Sequence, residues 1–273
     1  MNSPSAGSRS VWMTTVLPKF PILQEKLETD VCVIGGGIAG LTAAYLLSRE
    51  GRSVVLIDAA EIGCGETGRT TAHFFPPDNR YFEIEDAFGA EKARLVAESF
   101  QQATALVETI VEQEGIDCEF ERLNGYLFSL NPEGNADLDR EFEAARKAGV
   151  EIGKKGQVPD VSFITGPCLE FRNQAQFHPL KYLGGLIEAF RRKGGSIYTR
   201  TRALDISRCG TALKVITESG SIVAHAVVVA TNTPFNDDVV MHTKQAAYRT
   251  YVVGIRVPKG SVPRSLLWDN GEP

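Results

Sequence analysis

The sequence predicts an α/β fold, a parallel sheet with crossover helices, interrupted by an inserted α+β unit. Three observations carry this. The stretch TDVCVIGGGIAGLTAAYLLSREGRSVVLIDA, Thr29 to Ala59, sets an apolar run, four glycines, a helical run and a second apolar run ending in an acid in that order. Residues 79–154 then break the strand–helix alternation. From about residue 155 the pattern returns and ends in the apolar run VVVATNTP.

The first apolar run, VCVIG, reads as a strand buried on both faces. IAGLTAAYLLSREG places Leu41, Ala44, Tyr45 and Leu47 at helical spacing and closes on Gly51 as the residue past the helix end. RSVVLIDA is the second strand, with Asp58 at its end. In this strand–turn–helix–strand context G-x-G-x-x-G has a mechanism. Gly35 permits a tight turn, Gly37 lets backbone approach a pyrophosphate, and Gly40 lets the helix pack on the strands. The helix N-terminus around Ile38 and Ala39 offers free N–H groups and partial positive charge to phosphates. Asp58 is placed to accept from a ribose. AAEIGCGETGRTTAHF, from Ala59 to Phe74, follows as a second Gly/Thr-rich loop where an NAD domain usually enters another helix. Thr67, Gly68, Arg69 and Thr70 offer hydroxyl, backbone and cationic donors there, which favours a flavin dinucleotide.

Further along, residues 91–115 predict a long amphipathic helix with Leu95, Phe100, Ala103, Leu106, Ile110 and Val111 as its apolar stripe. DCEFERLNGYLFSL reads as a hairpin about Asn124–Gly125. PEGNADLDREFEAARKAGV reads as a helix ended by Gly149. HPLKYLGGLIEAFRRKGGSIYTRTRALDI reads as helix, turn and strand, and SGSIVAHAVVVATNTP as a strand pair.

Composition removes several function classes. The 273 residues carry a formal charge of −5, 43% apolar and 23% charged side chains. Nothing there favours nucleic acid or an anionic membrane. No apolar run approaches the ~18 residues of a membrane span, and the first 28 residues hold no secretory h-region. The five cysteines are scattered without C-x-x-C, which fits reduced thiols and a cytoplasmic protein. Cys32, inside the first strand, reads as a small core residue. No metal-ligand spacing is present.

With these residues in place the chain resembles the D-amino-acid-oxidase-like superfamily of FAD-dependent oxidoreductases, relatives of glycine and sarcosine oxidases. SVW near the start, GCGETGRTTAHF, FHPLKYLGGL and VVVATNTPF are most similar to a bacterial branch whose members often carry a C-terminal Rieske domain. The likeness runs from about Ser10 to the end. It implies a Rossmann-like FAD-binding domain over residues 29–78 and 155–240, after an extension over 1–28. It implies a partial substrate domain over 79–154 and 241–273. FAD would contact Gly35, Gly37, Ile38, Ala39, Gly40, Asp58, Thr67, Gly68, Arg69 and Thr70. It would also meet the backbone of Ala203 beside the adenine, and Ala230 and Thr231 in the family's Ala-Thr-Gly segment. Asn232 stands where that segment has Gly, and Asn tolerates left-handed backbone.

The same resemblance implies oxidation of a C–N bond of an amine or amino acid by hydride transfer to flavin N5. No catalytic side chain is nominated, because such chemistry on a neutral amine needs none. A Rieske domain or another electron acceptor would lie outside these residues. His73 is a weak candidate for covalent attachment, since the family's position aligns nearer Arg69. His178 reads as structural, and His225 and His242 belong to no motif. Two other readings stay open: an inactive or non-catalytic FAD-binding fragment, and an NAD(P)-dependent dehydrogenase. The family fold also needs strands beyond a substrate-domain strand ending near Val257. The chain alone is therefore expected to be incomplete, to hold FAD weakly and to turn over no amine.

Overall fold

The computed structural model describes residues 10–74, 80–130, 134–233, 235 and 255–271. The chain divides into two compact units: Met1–Thr70, Glu114–Cys118 and His178–Val253 in one, Thr71–Gln113, Glu119–Phe177 and Gly254–Pro273 in the other.

Among the described residues the first unit is built on a six-stranded sheet. Strand β1 (Lys26–Ile34) lies parallel to β2 (Val54–Ile57) on one side and to β10 (Ser221–Val229) on the other. The registers Ile34↔Ile57 and Ile34↔Val229 bring the carboxyl ends of all three strands to one level. β7 (Ser196–Tyr198) extends the parallel part beyond β2. β9 (Ala212–Thr217) and β8 (Ala203–Cys209) continue antiparallel beyond β10. Residues 31–34 and all of β2 are buried, as a strand covered on both faces requires. Cys32 is wholly buried in this core, and burial pushes its thiol up to about 12. Helix α1 (Ile38–Arg49) makes the crossover from β1 to β2 and packs on α5 (Pro179–Arg192). Tyr45 of α1 donates to the Glu114 carboxylate at 2.6 Å, and Arg192 of α5 donates to the other oxygen of that carboxylate.

Among the described residues the second unit holds a five-stranded sheet in the order β11-β4-β6-β3, with β5 also paired to β6. The strands are β3 (His73–Phe74), β4 (Glu121–Phe128), β5 (Ile152–Lys155), β6 (Cys168–Gln176) and β11 (Leu266–Asp269). Helices α2 (Tyr81–Phe88), α3 (Ala90–Glu114) and α4 (Asn135–Lys147) belong with it. Leu127, Leu169 and Phe171 of the sheet pack on Ala93, Ala97, Leu138, Ala144 and Ala145 of the helices. Among the described residues no helix is long and apolar enough to cross a membrane.

Several expectations are corrected. Asn124–Gly125 is no hairpin turn, because β4 runs straight through it between β6 and β11. Neither residue has the positive φ such a turn requires. The register against β6 shifts between Leu123 and Gly125, a bulge, and the bare Gly125 accepts the Trp268 ring: a Cβ there would stand 2.6 Å from that ring. The buried face of α3 is Ala93, Ala97, Thr104, Val107 and Ile110. Leu95, Phe100 and Leu106 are 42%, 41% and 36% exposed, since the two alanines bring the helix close and leave the larger residues outside. The strand pair expected over 219–234 is one long strand, β10, held along its whole length by β1. The strand expected after α5 is two, β7 and β8, broken at Arg200, where φ is 49°. Residues 155–177, expected with the first domain, include β6 and go with the second unit, because β6 pairs with β4 and β5. The strand expected to end near Val257 falls largely outside the described residues, as does His242.

One buried charge gives the second unit a pH dependence. Glu141 of α4 is 2% exposed and accepts from the Phe82 amide at the start of α2 at 3.2 Å. Burial raises its pKa above 4.5 against the opposing pull of the Tyr81 and Phe82 amides and the Arg80 charge. A raised carboxyl favours folding while it is protonated, and that contribution is lost as pH rises through the folded value. Glu141→Gln should flatten this decline in urea-unfolding midpoints between about pH 4 and about pH 8. Glu141→Leu, which leaves the amide without a partner, should cost about 1–3 kcal/mol. An identical pH profile in Glu141→Gln would contradict the assignment.

Candidate functional site

The site begins where β1 ends. Gly35 turns the chain with φ +115° while its amide still donates to Ile57 at 2.8 Å. A side chain would strain that conformation, and its Cβ would stand 2.3 Å from the Ala230 carbonyl. Gly40, one turn into α1, passes so close that a Cβ on it would lie 1.9 Å from the Gly35 oxygen and 3.2 Å from the Ala230 Cβ. Turn, helix and the end of β10 therefore interlock at bare backbone. Gly37 caps α1 with no side chain of its own. The first-turn amides fall outside the helical ladder, and that of Ile38 donates to the Thr67 hydroxyl at 3.0 Å.

Asp58 follows β2 and faces the same turn. One of its oxygens accepts from the Gly36 amide at 2.6 Å, the other from the Ala60 amide at 2.7 Å. The chain after β7 crosses this end of the sheet: Asp58 donates its amide to Tyr198, and Thr201 donates its amide to the Asp58 carbonyl at 2.8 Å. That crossing carries Arg202 and Ala203 to the cleft. The Gly/Thr loop contributes a single 3-10 turn, Glu66–Arg69. Arg69 spends Nη1 on the carbonyls of Cys64 and Gly65, so this donor braces the loop itself. Partial desolvation, and then the Asp58 charge, push the pKa of the exposed Cys64 thiol up.

A cleft of about 590 Å³ results, lined by Gly35, Gly37, Ile38, Ala39, Asp58, Thr67, Ala203, Ala230 and Thr231 among others. These nine were named from the sequence. Gly40, Gly68, Arg69 and Thr70 do not line it. Gly40 is consumed by the interlock, and the carbonyls of Gly68 and Thr70 accept from Ser10 and Trp12. Asn232 lines the cleft with φ 66°, the left-handed backbone that Asn tolerates. Arg202, and Phe235 at the end of the VVVATNTPF stretch, also line it, though the sequence alone assigns neither a role. No motif marks Arg202: the strand break at Arg200 delivers it. His73 lies exposed on β3 in the second unit, where partial desolvation lowers its pKa. His178 is the N-cap of α5, its Nδ1 accepting from Lys181. His225 stands 3.5 Å from Asp30.

The cleft lies outside the carboxyl ends of β1, β2 and β10, where the chain crosses to opposite sides of β1, the place at which open α/β sheets bind ligands. The donor set fits a dinucleotide. Amides at a helix N-terminus suit phosphates, a carboxylate suits a ribose, and an Ala-rich wall suits an adenine. A Cβ on Gly37 would meet nothing nearer than the Thr67 hydroxyl at 3.2 Å, so its backbone is bare toward the cleft. The second unit has its own groove of about 650 Å³, whose arginines are already paired, Arg122 with Glu108 and Arg172 with Glu151.

Comparison with known proteins bears on this site. The family DAO, FAD dependent oxidoreductase, matches residues 30–270. YhfW of Bacillus subtilis (strain 168), a protein named for a Rieske 2Fe-2S iron–sulfur centre, is 38% identical over 268 residues, covering 96% of this chain and 52% of that one. Gamma-glutamylputrescine oxidoreductase of Escherichia coli (strain K12) is 29% identical over 230 residues, covering 81% and 53%. The chain thus spans about half the length of the curated relatives it matches. The crystal structure of glycine oxidase from Geobacillus kaustophilus aligns with a TM-score of 0.61 at 20% identity, over 75% of this chain and 55% of that one, a likeness of fold.

The two glycines of the turn should separate by substitution. Gly40→Ala drives a methyl into backbone and should cost about 1–3 kcal/mol or more, read as a lowered urea midpoint. Gly37→Ala should leave that midpoint within about 1 kcal/mol, the ordinary glycine-to-alanine range. Equal losses would contradict the interlock.

Proposed function

For a chain that belongs to the DAO family of FAD-dependent oxidoreductases, we propose that the cleft over Gly35–Gly40 holds FAD. The observation that carries this reading is the convergence of Gly35, Gly37, Asp58, Ala203 and Ala230 on one cleft at the strand ends. The N-terminal amides of α1 would face the pyrophosphate, Gly37 giving it access. Asp58 would accept from the adenosine ribose, its position set by the Gly36 and Ala60 amides. Ala203, with Arg202 beside it, would border the adenine. Thr67 would keep the loop against α1.

We further propose that the reaction is oxidation of an amine or amino acid at its C–N bond. Bound FAD would supply a ring whose N5 accepts a hydride from the carbon next to nitrogen. Support comes from relatives named for glycine and for gamma-glutamylputrescine. The relative named for a Rieske centre supports an iron–sulfur partner as electron acceptor.

Titration of the purified chain with FAD, followed by visible absorbance and flavin fluorescence, tests the cofactor. Gly37→Leu should abolish retained flavin in a protein with wild-type circular dichroism. Asp58→Ala should weaken binding about ten- to a hundredfold, the worth of one charged hydrogen bond. Stoichiometric flavin in Gly37→Leu would refute the placement. Anaerobic addition of glycine, sarcosine or gamma-glutamylputrescine to the flavinylated chain tests the chemistry. Bleaching of the blue absorption band by one of them supports amine oxidation, and bleaching by NADPH alone contradicts it.

A further inference from the structure

The loop that carries Thr67 is poor in regular structure and rich in glycine. Gly63, Gly65 and Gly68 lie within six residues, and an unrestrained loop of this kind loses much entropy when it is ordered. On its cleft side it is held by the Ile38 amide to the Thr67 hydroxyl. A second set of contacts comes from the N-terminal segment. Ser10 donates its hydroxyl to the Gly68 carbonyl, and the Trp12 indole N–H donates to the Thr70 carbonyl at 2.8 Å. The Met13 methyl stands 3.3 Å from where a Cβ on Gly68 would be, and Leu17 stands 3.4 Å from the same place on Gly63.

The segment is itself anchored. Val11–Thr14 forms a 3-10 turn. The Trp12 ring meets the His178 ring edge-on, centroids 4.9 Å apart at 67°. The His178 Nδ1 accepts from the Lys181 amide, so that nitrogen carries no proton. Its Nε2 is then the donor toward Thr15 at 3.3 Å. The N-cap of α5 thereby fixes the segment on one side, and the segment fixes the loop on the other. None of Ser10, Trp12, Met13 or Leu17 lines the cleft.

We propose that Ser10–Leu17 is a strap that positions the cofactor loop, with Ser10 and Trp12 setting dinucleotide affinity through the Gly68 and Thr70 carbonyls; the affinity part rests on the FAD reading above. Ser10→Ala and Trp12→Phe each delete one hydrogen bond, and the phenyl ring retains the packing on His178. The first measurement is amide hydrogen exchange over residues 63–70 in cofactor-free protein. The second is the FAD dissociation constant. The third is the global urea midpoint, which a merely structural role would move alone. Each variant should speed loop exchange and raise the dissociation constant by about two- to tenfold, the worth of one neutral hydrogen bond. The double variant should exceed either, with the midpoint nearly unchanged. Wild-type exchange in the double variant would overturn the strap. Faster exchange at an unchanged dissociation constant would overturn its link to the cofactor. A wild-type protein that takes up no FAD would overturn the reading beneath that link, while the exchange measurement would still decide whether the strap holds the loop.

Discussion

The first unit depends on one steric fact, the approach of Gly40 to the Gly35 carbonyl. A Cβ at Gly40 would lie 1.9 Å from that oxygen. This contact sets how deeply α1 sits over the end of β1, and so where its unpaired amides emerge. Gly35 repeats the constraint against the Ala230 carbonyl, just past the end of β10. Two glycines thus fix a helix, a turn and two strands relative to one another with no side chain between them. Asp58 completes the arrangement by accepting from Gly36, within the same turn. The geometry that suits a phosphate is a by-product of backbone packed on backbone.

The loop after Asp58 works differently. Its glycines create freedom, and that freedom is removed by separate groups: Thr67 toward Ile38, Arg69 within the loop, and Ser10 and Trp12 from the N-terminal segment. Affinity at such a site is divided between the groups that would touch the ligand and those that hold them still. The burial of His178 at the head of α5 belongs to the second group.

What was legible in the sequence follows the range of the interactions. The β1–α1–β2 segment is local, and its glycines, helical spacing and terminal acid each report a short-range need, so its elements and the cleft-lining Gly35, Gly37, Ile38, Ala39 and Asp58 are legible from the residues alone, whereas Ala203, Ala230 and Thr231 are legible only through the family resemblance. The misreadings are long-range. Asn124–Gly125 carries a hairpin signature, yet Trp268, far along the chain, explains that glycine. The stripe read on α3 by helical spacing holds at Ile110, but at Leu95, Phe100 and Leu106 the packing uses Ala93 and Ala97 instead, because small side chains admit a close neighbour. Arg69 reads as a cationic donor to a dinucleotide until the carbonyls it braces are seen. Arg202 reaches the cleft through a backbone break at Arg200 that no residue type announces.

The pairing of β1 with β10 bears on how the polypeptide emerges from the ribosome. β1 ends at Ile34, but the strand that covers its second edge begins at Ser221. While residues 35–220 are made, the buried end of β1, residues 31–34, has one flank without its final neighbour, and most of the second unit is synthesised in that interval. Closure of such a distant pair carries a large loop entropy and comes late. The nascent chain therefore carries an adhesive edge during elongation, the circumstance in which holding chaperones act and in which slow synthesis favours misassembly. Neither unit is one continuous run of residues, so the segments of each are made with segments of the other between them.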